Sequence, residues 1–305
     1  MSTTLLLVMP AGSARGEIAQ LIASHGPEVR CADPADAAAV AQAADGCTAI
    51  VHLPAEDPFS SGESAALNPD HGLAGVAGGS AVTSGSTVST AGSAANGARS
   101  SGGAAASVAA QAEAVASAAA AARARIVFCS SVLLYADGGD DELMANDPEL
   151  DPPAGLSGLA DSELEVFGSR AEVMVLRLGI LLAKGGSHAR SLSGLLAQGE
   201  GSQPRPGVHL PLLDRSTLAE AIAVVAGSQL HGGWDVVAAT PTWAEIADWA
   251  KAEGLVQPAA AAEPAAPGQP DPVWGVSRNV TGAALRGTGA VGEGDWRQIL
   301  AGALT

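Results

Sequence analysis

Residues 4–9 form an almost unbroken apolar run, as expected of a strand buried on both faces of a parallel sheet. Residues 14–24 follow with apolar side chains at helical spacing (Ile18, Leu21, Ile22), and His25-Gly26-Pro27 stops the helix. Residues 28–32 read as a second strand ending at Asp33, residues 34–44 as an Ala-rich helix, and residues 48–53 as a third buried strand. Strand alternating with helix over short connections predicts an α/β fold, a doubly wound parallel sheet of the Rossmann type. After an interruption the rhythm resumes, with a long Ala-rich helix over 105–123 and a buried strand over 125–129 that closes on Ser130-Ser131. Residues 173–178 are a further strand, apolar except for Arg177. Beyond it, residues 216–227, 242–252 and 293–303 have helical apolar spacing, and all five tryptophans lie past residue 230. We therefore expect a core over 1–178 and a C-terminal part over 179–305 that completes the core and forms a small lobe.

Two stretches break the pattern. Residues 57–104 are Gly, Ser, Ala and Thr with almost no large apolar side chain. Such a segment cannot bury enough surface to offset its ordering entropy, which predicts a flexible low-complexity insertion. Residues 257–272 read as an Ala/Pro linker. The chain is 47% hydrophobic but only 3% aromatic, so the core must be closely packed small aliphatic residues. Its 15 basic and 32 acidic residues leave a formal charge of −17. That excess argues against nucleic acid, which is held mainly by Lys and Arg on phosphates, and against an anionic membrane surface. No basic n-region with a cleavable apolar stretch opens the chain and no apolar run has the length of a membrane span, so a soluble cytoplasmic protein is expected. Cys31, Cys47 and Cys129 lack the close spacing of a redox or metal motif and read as buried thiols; the six histidines make no metal pattern.

Several local patterns occur in an order with a known counterpart. They are the second strand ending in Asp33, Ala49-Ile50-Val51-His52-Leu53-Pro54-Ala55, the strand from Arg125 through Ser131 to Tyr135, Leu176-Arg177-Leu178-Gly179, and the helix around Leu218-Ala219-Glu220-Ala221-Ile222. Together they resemble the extended short-chain dehydrogenase/reductases of the NAD-dependent epimerase/dehydratase family. The resemblance implies a dinucleotide at the first turn, a nucleotide-sugar substrate in the C-terminal lobe, and dimers built from two long helices or a heteromeric partner. It also implies a Tyr-x-x-x-Lys pair, the tyrosine carrying the proton and the lysine lowering its pKa. This chain has one tyrosine, Tyr135, and two lysines, Lys184 and Lys251, and Tyr135 is followed four residues later by Gly139. The pair is missing.

In the first turn the family would read Gly-x-x-Gly-x-x-Gly, so that backbone N–H groups reach the pyrophosphate. This chain has Pro10, Gly12, Ser13, Arg15 and Gly16, with only Gly16 in place. Two readings stay open: a remodelled turn in which Ser13 and Arg15 reach phosphate, or a turn that no longer binds a dinucleotide. Asp33 suits a ribose diol and would favour NAD over NADP; it also suits the N-cap of the next helix. His52 takes the strand-end position by the cofactor, and Ser131 the place of the family's catalytic hydroxyl. Aligned on Glu165, the Tyr-x-x-x-Lys-x-x-x-Glu segment puts Ser157 in the tyrosine place and Asp161 in the lysine place. A carboxylate there would raise a neighbouring acid's pKa rather than lower it. Gln203 and Arg205 resemble a loop that grips the substrate diphosphate, for which the Arg fork is suited. The expectation is a pseudoenzyme that binds a ligand or a partner. The alternative is an active NAD-dependent epimerase, dehydratase or reductase with a substitute acid/base, or a non-redox lyase, in which Ser131, Asp161 and Arg205 carry the work and Ser157 is a further catalytic candidate.

Overall fold

The computed structural model describes residues 3–11, 13–54, 102–145, 149–197, 203–255 and 273–305. Most of the expected 57–104 insertion and the 257–272 linker lie outside the described residues.

The chain order is β1 (Thr4–Val8), α1 (Ser13–Ser24), β2 (Glu28–Ala32), α2 (Ala37–Ala44), β3 (Ala49–His52), α3 (Gly102–Ala122), β4 (Arg125–Ser131), α4 (Ser157–Phe167), β5 (Val173–Leu178), β6 (Ile180–Leu181), α5 (Ser187–Leu196), β7 (Leu212–Leu213), α6 (Arg215–Ala226), β8 (Gly232–Val236), α7 (Trp243–Ala252), α8 (Ala283–Arg286) and α9 (Trp296–Leu304). Six strands form one sheet in the order β2-β1-β3-β4-β5-β8, every neighbouring pair parallel. Helix α1 packs with α6, while α2 and α4 both pack with α3, so the sheet is covered on both faces as in a Rossmann fold.

The burial explains the sequence pattern. Leu5, Leu6, Leu7 and Val8 of β1 and all of β3 are fully buried because helices cover both faces, so neither strand alternates. Strand β2 pairs only with β1; at this edge Glu28, Arg30 and Cys31 are exposed. Cys31 is therefore a surface thiol, unlike Cys47 and Cys129, because an edge strand leaves one flank uncovered.

Helix α2 starts later than residue 34. Its N-cap is Asp36, whose side chain accepts the Ala39 N–H at 2.9 Å, and Asp33 is not the cap. Thr242 and Glu245 make a full capping box on α7, which fixes the start of that helix.

The C-terminal part supplies pieces of the core itself. Strand β8 extends the sheet, and α6 lies against α1, β3 and β4. The sequence reading does not include β8: a Gly232-Gly233 start and a carboxylate at 235 disguise a strand whose register pairs Asp235 with Arg177. Arg125, at the start of β4, fastens α6 to the sheet. Its guanidinium donates to the Val225 carbonyl at 3.2 Å and to the carbonyls of Ser228 and Leu230, and it pairs with Glu172 at 3.1 Å. Strands β6 and β7 make a small second sheet just past β5. Gly179 permits that turn, because a Cβ there would lie 2.7 Å from the Pro211 carbonyl oxygen.

Candidate functional site

In a doubly wound sheet, ligands settle beyond the carboxyl ends of the strands, where the winding reverses. Here the order β2-β1-β3 places that reversal at β1 and β3, beside β4. A small pocket of about 30 Å³ lies at these strand ends. Its lining includes Pro54 after β3, Ser130 and Ser131 of β4, Leu159 of α4, Gly179 after β5 and His188 of α5.

Ser131, expected as the retained hydroxyl, does line this pocket. Its Oγ accepts the Leu133 N–H at 3.1 Å and so caps the one-turn 3-10 helix Val132–Leu134 that leaves the strand. Ser130 is 4% exposed, and its Oγ has no hydrogen-bond partner. Leaving such a group unpaired costs about 1–3 kcal/mol.

The residues expected to replace the acid/base pair do not join Ser131. Ser157 and Asp161 are both exposed on α4, and neither lines the pocket. The buried face of that helix carries Leu159, Ser162, Glu163 and Val166. Glu163, not Glu165, is the inward glutamate. Its carboxylate binds the buried Arg177 guanidinium through Nη2 and, at 3.3 Å, through Nε. Anchored on Glu163, the family spacing puts Leu159 in the lysine place and Gly155 in the tyrosine place, two residues earlier than the sequence alignment has them. Two residues turn a helix by about 200°, which moves a side chain from one face to the other. The signal was available: Leu156, Leu159 and Val166 recur at helical spacing and mark the inward face.

Tyr135 belongs to a separate buried network. Its hydroxyl donates to Asp235 at 2.7 Å and accepts from Arg177 at 3.2 Å, and the Arg177 guanidinium lies 5.4 Å from the ring centroid. Burial and the Asp235 charge push the phenol far above its ordinary range, with Arg177 only partly opposing. Burial likewise lifts Asp235 to about 6, against the Tyr135 hydrogen bond and Arg177. Sequence reasoning missed Asp235 because the strand that carries it is hidden.

At the first turn, Gly12 and the Ser13 side chain lie outside the described residues. Pro10 has no N–H, and the Ala11 N–H is taken by Asp33 Oδ2 at 3.1 Å. Asp33 Oδ1 accepts the Ala35 N–H at 2.9 Å, and Arg15 donates to the Met9 carbonyl at 3.2 Å. A Cβ at Gly16 would meet nothing within 4 Å, so no close packing demands that glycine. In the described part of the turn the Ala11 N–H, the Asp33 carboxylate and the Arg15 guanidinium are thus engaged with the turn's own groups.

His52 is fully buried between strands, edge-on to Phe128 at 5.5 Å between centroids, and neither ring nitrogen has a partner. Burial lowers its pKa to about 4, which makes it a neutral core residue. Gln203 accepts from the Trp243 indole at 3.4 Å, which holds the 203–208 loop to α7. Arg205 is 74% exposed and pairs with Asp137 at 3.3 Å, apart from the pocket lining. Among the described residues no group of His, Cys, Asp and Glu has metal-site geometry, and no helix is long and apolar enough to cross a membrane.

No protein-family model matches this chain, and no curated protein matches its sequence. Solved structures do match in shape. A dTDP-4-dehydrorhamnose reductase from Clostridium acetobutylicum has a TM-score of 0.65 at 16% identity, covering 99% of this chain and 98% of its own. The enzyme WbmG from Bordetella bronchiseptica, solved with NAD and UDP, has a TM-score of 0.64 at 16% identity, covering 100% and 94%. A UDP-glucose 4-epimerase from Thermus thermophilus, solved with NAD, has a TM-score of 0.61 at 16% identity, covering 98% and 97%. The chain has the Rossmann-type α/β fold of these three enzymes.

Proposed function

We propose that this protein is an extended short-chain dehydrogenase/reductase that has lost proton-coupled hydride transfer and serves as a small-molecule-binding pseudoenzyme of the cytoplasm. One observation carries the reading. Anchored on the inward Glu163, which Arg177 neutralises, the spacing offers Gly155 and Leu159 where the chemistry needs a phenol and an ammonium, and Leu159 shares the pocket lining with Ser131. A leucine neither lowers a pKa nor holds a ribose, and the one tyrosine is locked protonated in a different network. The turn that closes on Asp33 supports the same reading. The solved proteins of this shape that hold NAD are relatives in fold only, and no step of the proposal passes through a nicotinamide.

The test is a steady-state assay of NAD(H)- and NADP(H)-dependent turnover of UDP- and dTDP-sugars by wild-type protein and Ser131→Ala. The proposal expects no turnover by either. Turnover by the wild type that Ser131→Ala abolishes would overturn it.

A further inference from the structure

Four ionisable side chains meet in the core near the ends of β5 and β8, and their charges do not balance. Glu163 of α4 and Asp235 of β8 bring two carboxylates, Arg177 of β5 one guanidinium and Tyr135 a phenol, all buried. The guanidinium holds Glu163 through Nη2 and Nε. Its Nη1 donates to the Tyr135 hydroxyl at 3.2 Å and to the Ala145 carbonyl at 3.0 Å. Asp235 is left with the Tyr135 hydroxyl at 2.7 Å and the Ala145 N–H. With both carboxylates ionised the four groups carry one uncompensated negative charge, which a buried site disfavours. One proton shared by the cluster removes it. Among the described residues the ionisable groups that face Asp235 are Tyr135, Arg177 and Glu163. The segment before α8 meets its backbone with Gly282, and the acids of the preceding loop, Asp137, Asp140, Asp141 and Glu142, are exposed.

Ala145 closes the cluster from outside, with its carbonyl on Arg177 and its N–H on Asp235. Residues 143–145 belong to no helix or strand, and Met144 is 53% exposed. Beyond the cluster, the Leu143 N–H donates to the Asn279 carbonyl at 3.0 Å. Gly233 gives the turn its seat on β8. A Cβ there would lie 3.3 Å from the Ala145 carbonyl oxygen and 3.5 Å from Arg177 Nη1. Strands β5 and β8 and helix α4 are fixed by the sheet and its packing, so the turn is the part that can yield.

We propose that residues 143–145 form a proton-controlled cover, seated while the Glu163–Arg177–Tyr135–Asp235 cluster holds its proton and loosened, with water reaching Asp235, when the proton leaves. Burial lifts Asp235 from 3.8 to about 6 in the seated state. A raised pKa favours the seated state at low pH, and that preference is lost as pH rises through 6. With Asp235 returning to 3.8 on opening, the opening constant rises about tenfold between pH 5 and pH 8.

The experiment is amide hydrogen exchange of the full chain from pH 5 to pH 8, corrected for the intrinsic rate and read at Leu143 and Ala145. Protection there should fall about tenfold over that range in the wild type and stay level in Asp235→Asn. Tyr135→Phe removes a hydrogen bond that holds Asp235 down, so the fall should move up by about one pH unit. Gly233→Ala, checked by circular dichroism to be folded, should exchange faster at every pH because its methyl crowds the seat. Level protection in the wild type, or the same fall in Asp235→Asn, would overturn the proposal. So would a Tyr135→Phe profile that does not move or a Gly233→Ala turn as protected as the wild type. None of these results bears on the loss of the Tyr-Lys pair.

Discussion

His52 offers the sharpest physical test of the core. The ring is fully buried, and among the described residues its ring neighbour is Phe128 and both nitrogens lack partners. Protonation would place an uncompensated charge between β1 and β4, and burial therefore lowers the pKa from 6.5 to about 4. A depressed folded-state pKa gives stability that is complete above pH 6.5 and is lost as pH falls toward 4. Linkage puts the loss at about 2 kcal/mol by pH 5 and about 3 kcal/mol by pH 4. His52→Leu removes the titration and the two unpaired nitrogens while keeping a similar volume. Urea unfolding of both proteins at pH 7.5, 5 and 4 isolates the term, because every other titrating group is common to both. The variant should be at least as stable as the wild type at pH 7.5 and pull ahead by about 2–3 kcal/mol on acidification. Parallel pH profiles would refute the reasoning and mean that His52 reaches water or a partner when protonated.

Asp235 titrates in the opposite sense. Its folded pKa, raised to about 6, makes its contribution complete below the unfolded value of 3.8 and lost as pH rises through 6. A carboxyl carbon NMR titration should place its midpoint near 6, and Asp235→Asn should remove that part of the stability profile; a midpoint near 4 would count against the burial argument. Arg177→Met should destabilise by about 3–5 kcal/mol, because it strands the buried Glu163, and Glu163→Leu in the same chain should recover most of the loss in urea melts. Gly179→Ala should cost about 1–3 kcal/mol, since the new methyl would crowd the Pro211 carbonyl, and a shift of the thermal midpoint measures it.

Much of the fold was legible because its strands are buried on both faces. Continuous apolar runs at β1, β3, β4 and β5, with helical spacing between, leave few architectures open. Strand β8 was not legible. Its identity depends on Asp235 being neutralised by Tyr135 and Arg177, and no local window carries that information. The site was half legible. Ser131 sits at the end of a strand whose limits the sequence marks, and it lines the pocket there. The spacing motif that singled out Ser157 and Asp161 fixes residues relative to one another and not to a helix face, and both stand exposed on α4. Anchoring on Glu165 instead of Glu163 rotated the segment away from the pocket, and the apolar stripe of α4 is the signal that corrects it. Asp33 was assigned a ribose or a helix cap, yet it bonds the Ala11 N–H across 22 residues of sequence, a tertiary contact that local pattern does not encode.

The central claim is that the first turn has closed on itself and the catalytic pair has gone. Calorimetric titration of the purified protein with NADH and NADPH tests it most directly. The account predicts no saturable heat up to millimolar dinucleotide, and an unchanged result in Asp33→Ala. Micromolar binding of NADH that is lost in Asp33→Ala would contradict it, because the carboxylate would then be holding a ribose and not its own turn.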